Sequence, residues 1–179
     1  MTFTEAWMSE SSCFMLARLV RRTRGLDGRV VEVGCWEGKS TSSIAQAAYP
    51  DVVHAVDTWR GSPGEPSEAL AAERDVYARF VENMAALTRG NVEPHRMGWR
   101  DYFAADQTPI RFLHIDATHT YEEVRDNILA ALPLMVKGGI IAGDDAHDED
   151  ILRGVGETLG MGYTISQTLW YEEIGSGSV

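Results

Sequence analysis

Short apolar, largely β-branched runs alternate with amphipathic stretches along most of this chain. Arg29 to Val33 (RVVEV), Val52 to Val56 (VVHAV), Ile110 to Ile115 (IRFLHI) and Gly139 to Gly143 (GIIAG) have the pattern of strands covered on both faces of a parallel sheet. Val92 to Met97 reads as a further strand, weakened by Pro94. Between them, Lys39 to Ala48, Ser67 to Leu87, Tyr121 to Leu132 and Glu149 to Leu159 are helix-like. Phe3 to Arg24 reads as a helix ending at Gly25, and Tyr163 to Ile174 alternates like one or two closing strands. This alternation predicts an α/β fold, a mostly parallel open sheet with helices on both faces. The expected organisation is a single domain over 1–179, with 1–24 as a helical cap and 174–179 as a flexible Gly-Ser tail.

In such sheets ligands bind outside the carboxyl ends of the strands. Those ends read Glu32-Val33-Gly34, Val56-Asp57, Gly98-Trp99, Ile115-Asp116 and Gly143-Asp144-Asp145. Four of the five carry an acid at or beside the end. Carboxylates gathered in one cleft repel each other unless a cation or hydrogen-bond donors are present.

Glu32, Gly34 and Gly38 form E-x-G-x-x-x-G between the first strand and its helix. Gly34 permits a tight turn with positive φ, and Gly38 permits close approach of a ligand to the backbone. A dinucleotide fingerprint would place glycine where Trp36 stands, which argues against a pyrophosphate lying flat on this turn. Asp57, at the end of the next strand, can accept both hydroxyls of a ribose.

Asp116 closes the fourth strand, and Asp144 and Asp145 close the fifth. Neighbouring strands lie about 4.8 Å apart, so three carboxylates can converge on one point. Oxygen ligands suit a hard cation, Mg²⁺ or else Mn²⁺ or Ca²⁺, whereas zinc favours His or Cys. His119 follows Asp116 by three residues and is within reach of the same cleft.

Composition narrows the function. With 179 residues, 44% hydrophobic and 24% charged, the chain is ordinary globular material. Sixteen basic against 27 acidic side chains give a net charge of −11, which disfavours binding to phosphate backbones. The cluster Arg18, Arg21, Arg22 and Arg24, with Leu16, Leu19 and Val20, reads as an amphipathic helix with a solvated face. Cys13 and Cys35 make neither a disulfide framework nor a zinc cluster. No apolar run is long enough to span a membrane and no signal peptide opens the chain, so a cytoplasmic location is expected.

The stretches VVEVGCWEGKST, HAVDTWRG, FLHIDATHTYEEV and LPLMVKGGIIAGDD resemble the class I S-adenosylmethionine-dependent methyltransferases. Within them the chain is similar to the small-molecule O-methyltransferase branch that includes the macrocin and mycinamicin sugar methyltransferases. The resemblance spans Val30 to Asp145 and implies a Rossmann-like fold. It implies that Glu32, Gly34 and Gly38 hold the methionine part of the cofactor, that Asp57 holds its ribose, and that Gly98 and Trp99 lie near the adenine. It also implies that Asp116, Asp144 and Asp145 bind a divalent metal. One subgroup uses a D-x-x-H histidine as base and another an acid two residues after the first aspartate. That position here is Thr118, so the base role falls to His119. The family habit is a homodimer.

A metal bound to two neighbouring hydroxyls lowers their pKa and fixes their orientation, and an imidazole can take the proton. The expected reaction is metal-assisted O-methylation of a small-molecule diol or catechol. Blander roles stay open: Asp145 as the cap of the next helix, Asp116 as a ligand to the cofactor amine, and His119 as a backbone-bonded loop residue. His147 is a substitute base or substrate contact, His54 and His114 read as structural, and His95 as a satisfied surface or strand residue. Trp59 either walls the cleft or packs. Rival functions are a metal-independent methyltransferase, an inactive cofactor-binding scaffold and a nicotinamide oxidoreductase.

Overall fold

The computed structural model of the chain describes residues 3–5 and 7–175. Its elements run α1 (Glu10–Arg22), β1 (Arg29–Val33), α2 (Lys39–Ala48), β2 (Val53–Asp57), α3 (Pro66–Glu73), α4 (Val76–Leu87), β3 (Val92–Arg96), α5 (Trp99–Ala105), β4 (Ile110–Ile115), α6 (Tyr121–Ala131), β5 (Met135–Gly143), α7 (Glu149–Leu159), β6 (Thr164–Ser166) and β7 (Leu169–Glu173). The sheet order is β3-β2-β1-β4-β5-β7-β6, parallel except where β7 runs antiparallel to both neighbours. This is the Rossmann-like, doubly wound arrangement the sequence predicts.

Strand parity sorts the two layers. Val30 of β1, Phe112 of β4 and Ile140 of β5 pack with α1 and α2. Val31, Val33, Leu113, Ile115 and Ile141 point the other way, onto α5, α6 and α7. The registers Val33↔Ile115 and Ile115↔Gly143 bring the carboxyl ends of β1, β4 and β5 level. Gly34, Asp116 and Asp144 therefore leave the sheet side by side, where the order reverses between β1 and β4.

Several boundaries differ from expectation, each for a local reason. The first helix starts only at Glu10, because Ser9 caps it by accepting the Ser12 N–H at 3.0 Å. Among the described residues ahead of it, 3–5 and 7–9, none is helical. The expected helix over 67–87 is two, because Asp75 accepts the Ala78 N–H at 2.9 Å and starts α4 afresh. The short helix α5 is not apparent in the sequence pattern, since seven residues give too little periodicity to read. At the carboxyl end, Ile174 exchanges hydrogen bonds with Gly138 and Gly139 (2.7 and 2.8 Å), so the sheet holds it, and 176–179 of the expected tail lie outside the described residues. Among the described residues no helix is long and apolar enough to cross a membrane.

Candidate active site

A cavity of about 850 Å³ opens at the carboxyl ends of the parallel strands. Gly34, Asp57, Gly98, Trp99, Asp116, His119, Asp144 and Asp145 line it. Glu32 and Gly38, expected at the cofactor, are not among its lining residues.

Glu32 projects on the same side of β1 as Val30, beneath the cleft. It is fully buried, receives a hydrogen bond from Thr41 Oγ1 of α2 and pairs with His114 Nδ1 at 2.9 Å. Burial pulls the His114 ring down, but the Glu32 carboxylate more than offsets it and the ring ends above the usual histidine range. Glu32 thus ties β1, β4 and α2 together under the floor. Gly38 has φ +88° at the start of α2, and a Cβ there would collide with the Met84 and Phe80 side chains of α4. Its missing side chain serves helix packing. Gly34 (φ +84°) does stand at the cavity, and a Cβ on it would strike the backbone carbonyl of Asp116. This glycine lets the first turn and the fourth strand end lie against each other.

Asp57 closes that turn. One carboxylate oxygen accepts the N–H groups of Cys35 (2.7 Å) and Trp36 (2.9 Å), and the other accepts Trp59 N–H at 2.7 Å. A carboxylate has about four lone-pair sites, so one remains for a ribose hydroxyl instead of the two expected. Burial pushes Asp57 above the usual carboxylate range, against the pull of these three amides. Trp36 and Trp59 hold positive φ, +48° and +53°. A bulky residue there is strained and is kept only by surrounding bonds. Trp59 Nε1 donates to Trp36 O at 2.8 Å, while the Trp59 ring packs on Tyr77 and Phe80. Trp59 is therefore a buried packing residue and does not wall the cleft.

The chain ahead of α1 covers part of the opening. Glu5 accepts from Trp36 Nε1 at 2.9 Å and pairs with Arg74, and Thr4 N–H donates to Glu37 at 2.6 Å. Trp7 packs on Trp36 with ring centroids 5.1 Å apart. On the far wall, Gly98 starts α5 and Trp99 Nε1 donates to Glu123 at 3.0 Å, with Arg100 stacked over the indole at 4.1 Å.

The acidic cluster is assembled by β4, β5 and a distant loop. His119 Nε2 lies 3.1 Å from Asp145 and 3.5 Å from Asp116. Asp145 sits at φ +54° and turns into the cleft. Asp148, not Asp145, caps α7 by accepting the Asp150 N–H at 2.8 Å, which removes the capping role for Asp145. Asp144 lines the same cavity outside the tight trio of Asp116, His119 and Asp145, and its Oδ1 is buried without a hydrogen-bond partner among the described residues. Burial and the neighbouring Asp116 charge both push Asp144 above the usual carboxylate range. Asp145 is likewise pushed up by burial, opposed by His119. The sequence reading missed Glu65, which accepts the His119 N–H at 3.0 Å and faces Nδ1 at 3.2 Å. Burial lowers the His119 pKa, yet the hydrogen bond to Asp116 and the charges of Asp116, Asp145 and Glu65 outweigh it, and the pKa is raised to about 9. His147 stands 3.8 Å from Asp145 on the exposed side.

Three carboxylates with one orphaned buried oxygen fit a hard divalent cation. The cavity, with Asp57 and the glycine turn on one side and an indole on the other, fits an adenosine-sized molecule beside it.

Residues 31–146 match a family described as a methyltransferase domain. No curated protein sequence matches the chain. Similar solved structures include the O-methyltransferase NovP (19% identity, 91% of this chain and 79% of that one, TM-score 0.66). CalS11, a TDP-rhamnose 3'-O-methyltransferase of calicheamicin biosynthesis, is similar at 18% identity, over 93% and 80% of the two chains, with TM-score 0.66. TomG from Streptomyces achromogenes, solved with S-adenosylmethionine, is similar at 18% identity, over 94% and 82%, with TM-score 0.62. At these identities the likeness is one of fold. The match over 31–146 covers the glycine turn, Asp57 and the three aspartates at the ends of β4 and β5, and by it the chain belongs to the methyltransferase-domain family, as an enzyme of the S-adenosylmethionine-dependent class.

Proposed function

We propose that this enzyme methylates a hydroxyl of a small molecule bearing adjacent hydroxyls, a sugar diol or a catechol, with help from Mg²⁺ or another hard divalent cation. The observation that carries this reading is the convergence of Asp116, Asp145 and His119, with Asp144 beside them, on the cavity that Gly34 and Asp57 also line. S-adenosylmethionine supplies an electrophilic methyl when bound, and a cation held by Asp116, Asp144 and Asp145 would lower the pKa of coordinated hydroxyls.

The chain's own residues supply position and charge. Gly34 and the turn beside it would receive the methionine part, Asp57 one ribose hydroxyl, and Gly98 and Trp99 the adenine side. Asp116 and Asp145 aim their oxygens at one point, and the acceptor is oriented there. His119 is the proton carrier, its ring fixed by Glu65 through Nδ1. Held by three carboxylates it is an imidazolium at neutral pH, so it accepts a proton only once those charges are met by another cation. The TDP-rhamnose O-methyltransferase of calicheamicin biosynthesis and the O-methyltransferase of tomaymycin synthesis, both of the same fold, support a natural-product or sugar acceptor.

One observation favours a second reading, a metal-independent methyltransferase. Protonated His119 already places a positive charge between Asp116, Asp145 and Glu65. The two readings separate in one assay. Methyl transfer from S-adenosylmethionine to a panel of diols and catechols is followed by mass spectrometry, with Mg²⁺ and with EDTA. Transfer lost in EDTA and restored by Mg²⁺ supports the metal reading, and undiminished transfer in EDTA refutes it. A homodimer and a cytoplasmic location belong to the same proposal.

A further inference from the structure

On the α5 side of the sheet, outside the cavity, three side chains meet at the β2–β3 edge. His54 pairs in register with Glu93, and His95 follows two residues later, so all three project from one face. His54 Nδ1 and His95 Nε2 are 3.0 Å apart, and Glu93 Oε1 is 3.6 Å from the same His95 nitrogen. One ligand atom from each lies within 4.8 Å of the other two. Ligands about 2.0–2.1 Å from a tetrahedral zinc ion stand about 3.3 Å from each other, and the two measured separations fall on either side of that value.

The surroundings suit a cation ligated by neutral imidazole. Burial lowers the pKa of His54 and keeps it in the unprotonated form that binds metal. Arg29, whose charge acts on His54, is paired with Asp106 at 2.5 Å, so its charge is largely met. Glu93 is exposed, which leaves a path from solvent.

We infer that His54, Glu93 and His95 form a second metal site, for a borderline divalent cation such as Zn²⁺. Two imidazole nitrogens and one carboxylate oxygen are a zinc-type donor set, unlike the oxygen-rich set in the cleft. The bound ion staples the edge strand β3 to β2. It acts where the strand needs support, because β3 has a neighbour on one side only and carries Pro94. The His95 ring also packs on Tyr102 of α5, with centroids 4.9 Å apart, and β3 leads directly into Met97, Gly98 and Trp99 at the cavity wall.

The test uses tag-free full-length protein carrying His119→Ala, which weakens the competing site in the cleft. Zn²⁺ is titrated by calorimetry and its effect on the melting temperature is measured. The expected result is one bound equivalent and a raised melting temperature. Adding His95→Ala should abolish both, and Glu93→Gln, at an exposed position, should weaken binding tenfold or more while leaving the melting temperature without zinc unchanged. Zinc should also shift the imidazole resonances of His54 and His95 and spare those of His147. An unchanged zinc stoichiometry in the His95→Ala protein, an unchanged zinc affinity in the Glu93→Gln protein, or no binding to the His119→Ala protein overturns the inference. Binding of S-adenosylhomocysteine, read separately, keeps this outcome apart from the fate of the methyltransferase proposal.

Discussion

Glu65 grips His119 at two points: one carboxylate oxygen accepts its backbone N–H at 3.0 Å and the other faces its Nδ1 at 3.2 Å. The residues are 54 apart in sequence, and the contact fastens the loop before α3 onto the loop after β4. It fixes the ring so that Nε2 points at Asp116 and Asp145.

The first prediction concerns charge. Folding raises the His119 pKa to about 9 from an ordinary value near 6.5. A group raised on folding adds stability below its unfolded pKa and loses it as pH climbs through the folded one. Without added metal, the melting temperature should therefore fall between about pH 6.5 and pH 9, in part from this ring. Glu65→Gln removes one of the stabilising charges, so an NMR titration of His119 should move to lower pH and the fall should be smaller and end at lower pH. A titration unmoved by Glu65→Gln would sink this account of the cluster.

Glu32→Ala tests whether this acid is floor or ligand. Breaking a buried carboxylate–histidine pair costs about 3–5 kcal/mol, so a large drop in unfolding free energy is expected. The fraction that stays folded should bind S-adenosylhomocysteine nearly as the wild type does. A selective loss of binding at unchanged stability would return Glu32 to the cofactor site.

Asp57→Ala should act on both properties. Three backbone N–H groups lose their acceptor, at a cost of about 1–3 kcal/mol in stability if only part of that loss is met by water. The turn that frames the cavity loosens with it, so calorimetry should show S-adenosylhomocysteine binding weakened by at least about tenfold, or about 1.4 kcal/mol.

The two glycines should differ in kind. Gly34→Ala drives a methyl into the Asp116 backbone, which cannot yield without moving the strand end, so cofactor and metal binding should fall together. Gly38→Ala meets the flexible end of Met84. Its cost should shrink in a Met84→Ala background, and a double-mutant cycle measures that coupling. Full additivity would contradict the packing role given to Gly38.

Much of this was legible in the sequence, and the failures have physical causes. The parallel strands β1, β2, β4 and β5 announce themselves because both faces are covered and apolar residues predominate, whereas β3 (VEPHR) reads only as a weakened strand. Asp116, Asp144 and Asp145 are legible because strand ends in register must gather there. The buried position of Glu32 was not legible, because an acid near a strand end looks the same whether its parity aims it at the cleft or beneath it. Glu65 leaves no local signal: it sits in a polar loop and meets His119 only in three dimensions. His54 reads as structural and His95 as a satisfied surface or strand residue, because their meeting depends on the β2–β3 register, which spacing does not specify.

The most direct test of the central claim is a calorimetric Mg²⁺ titration of the protein saturated with S-adenosylhomocysteine, repeated on Asp116→Asn and Asp145→Asn. The account predicts one bound Mg²⁺ in the wild type, lost in both variants, with S-adenosylhomocysteine still bound in all three. No Mg²⁺ binding in the wild type, or equal binding in the variants, would contradict it and leave a methyltransferase whose acidic cluster is served by His119 alone.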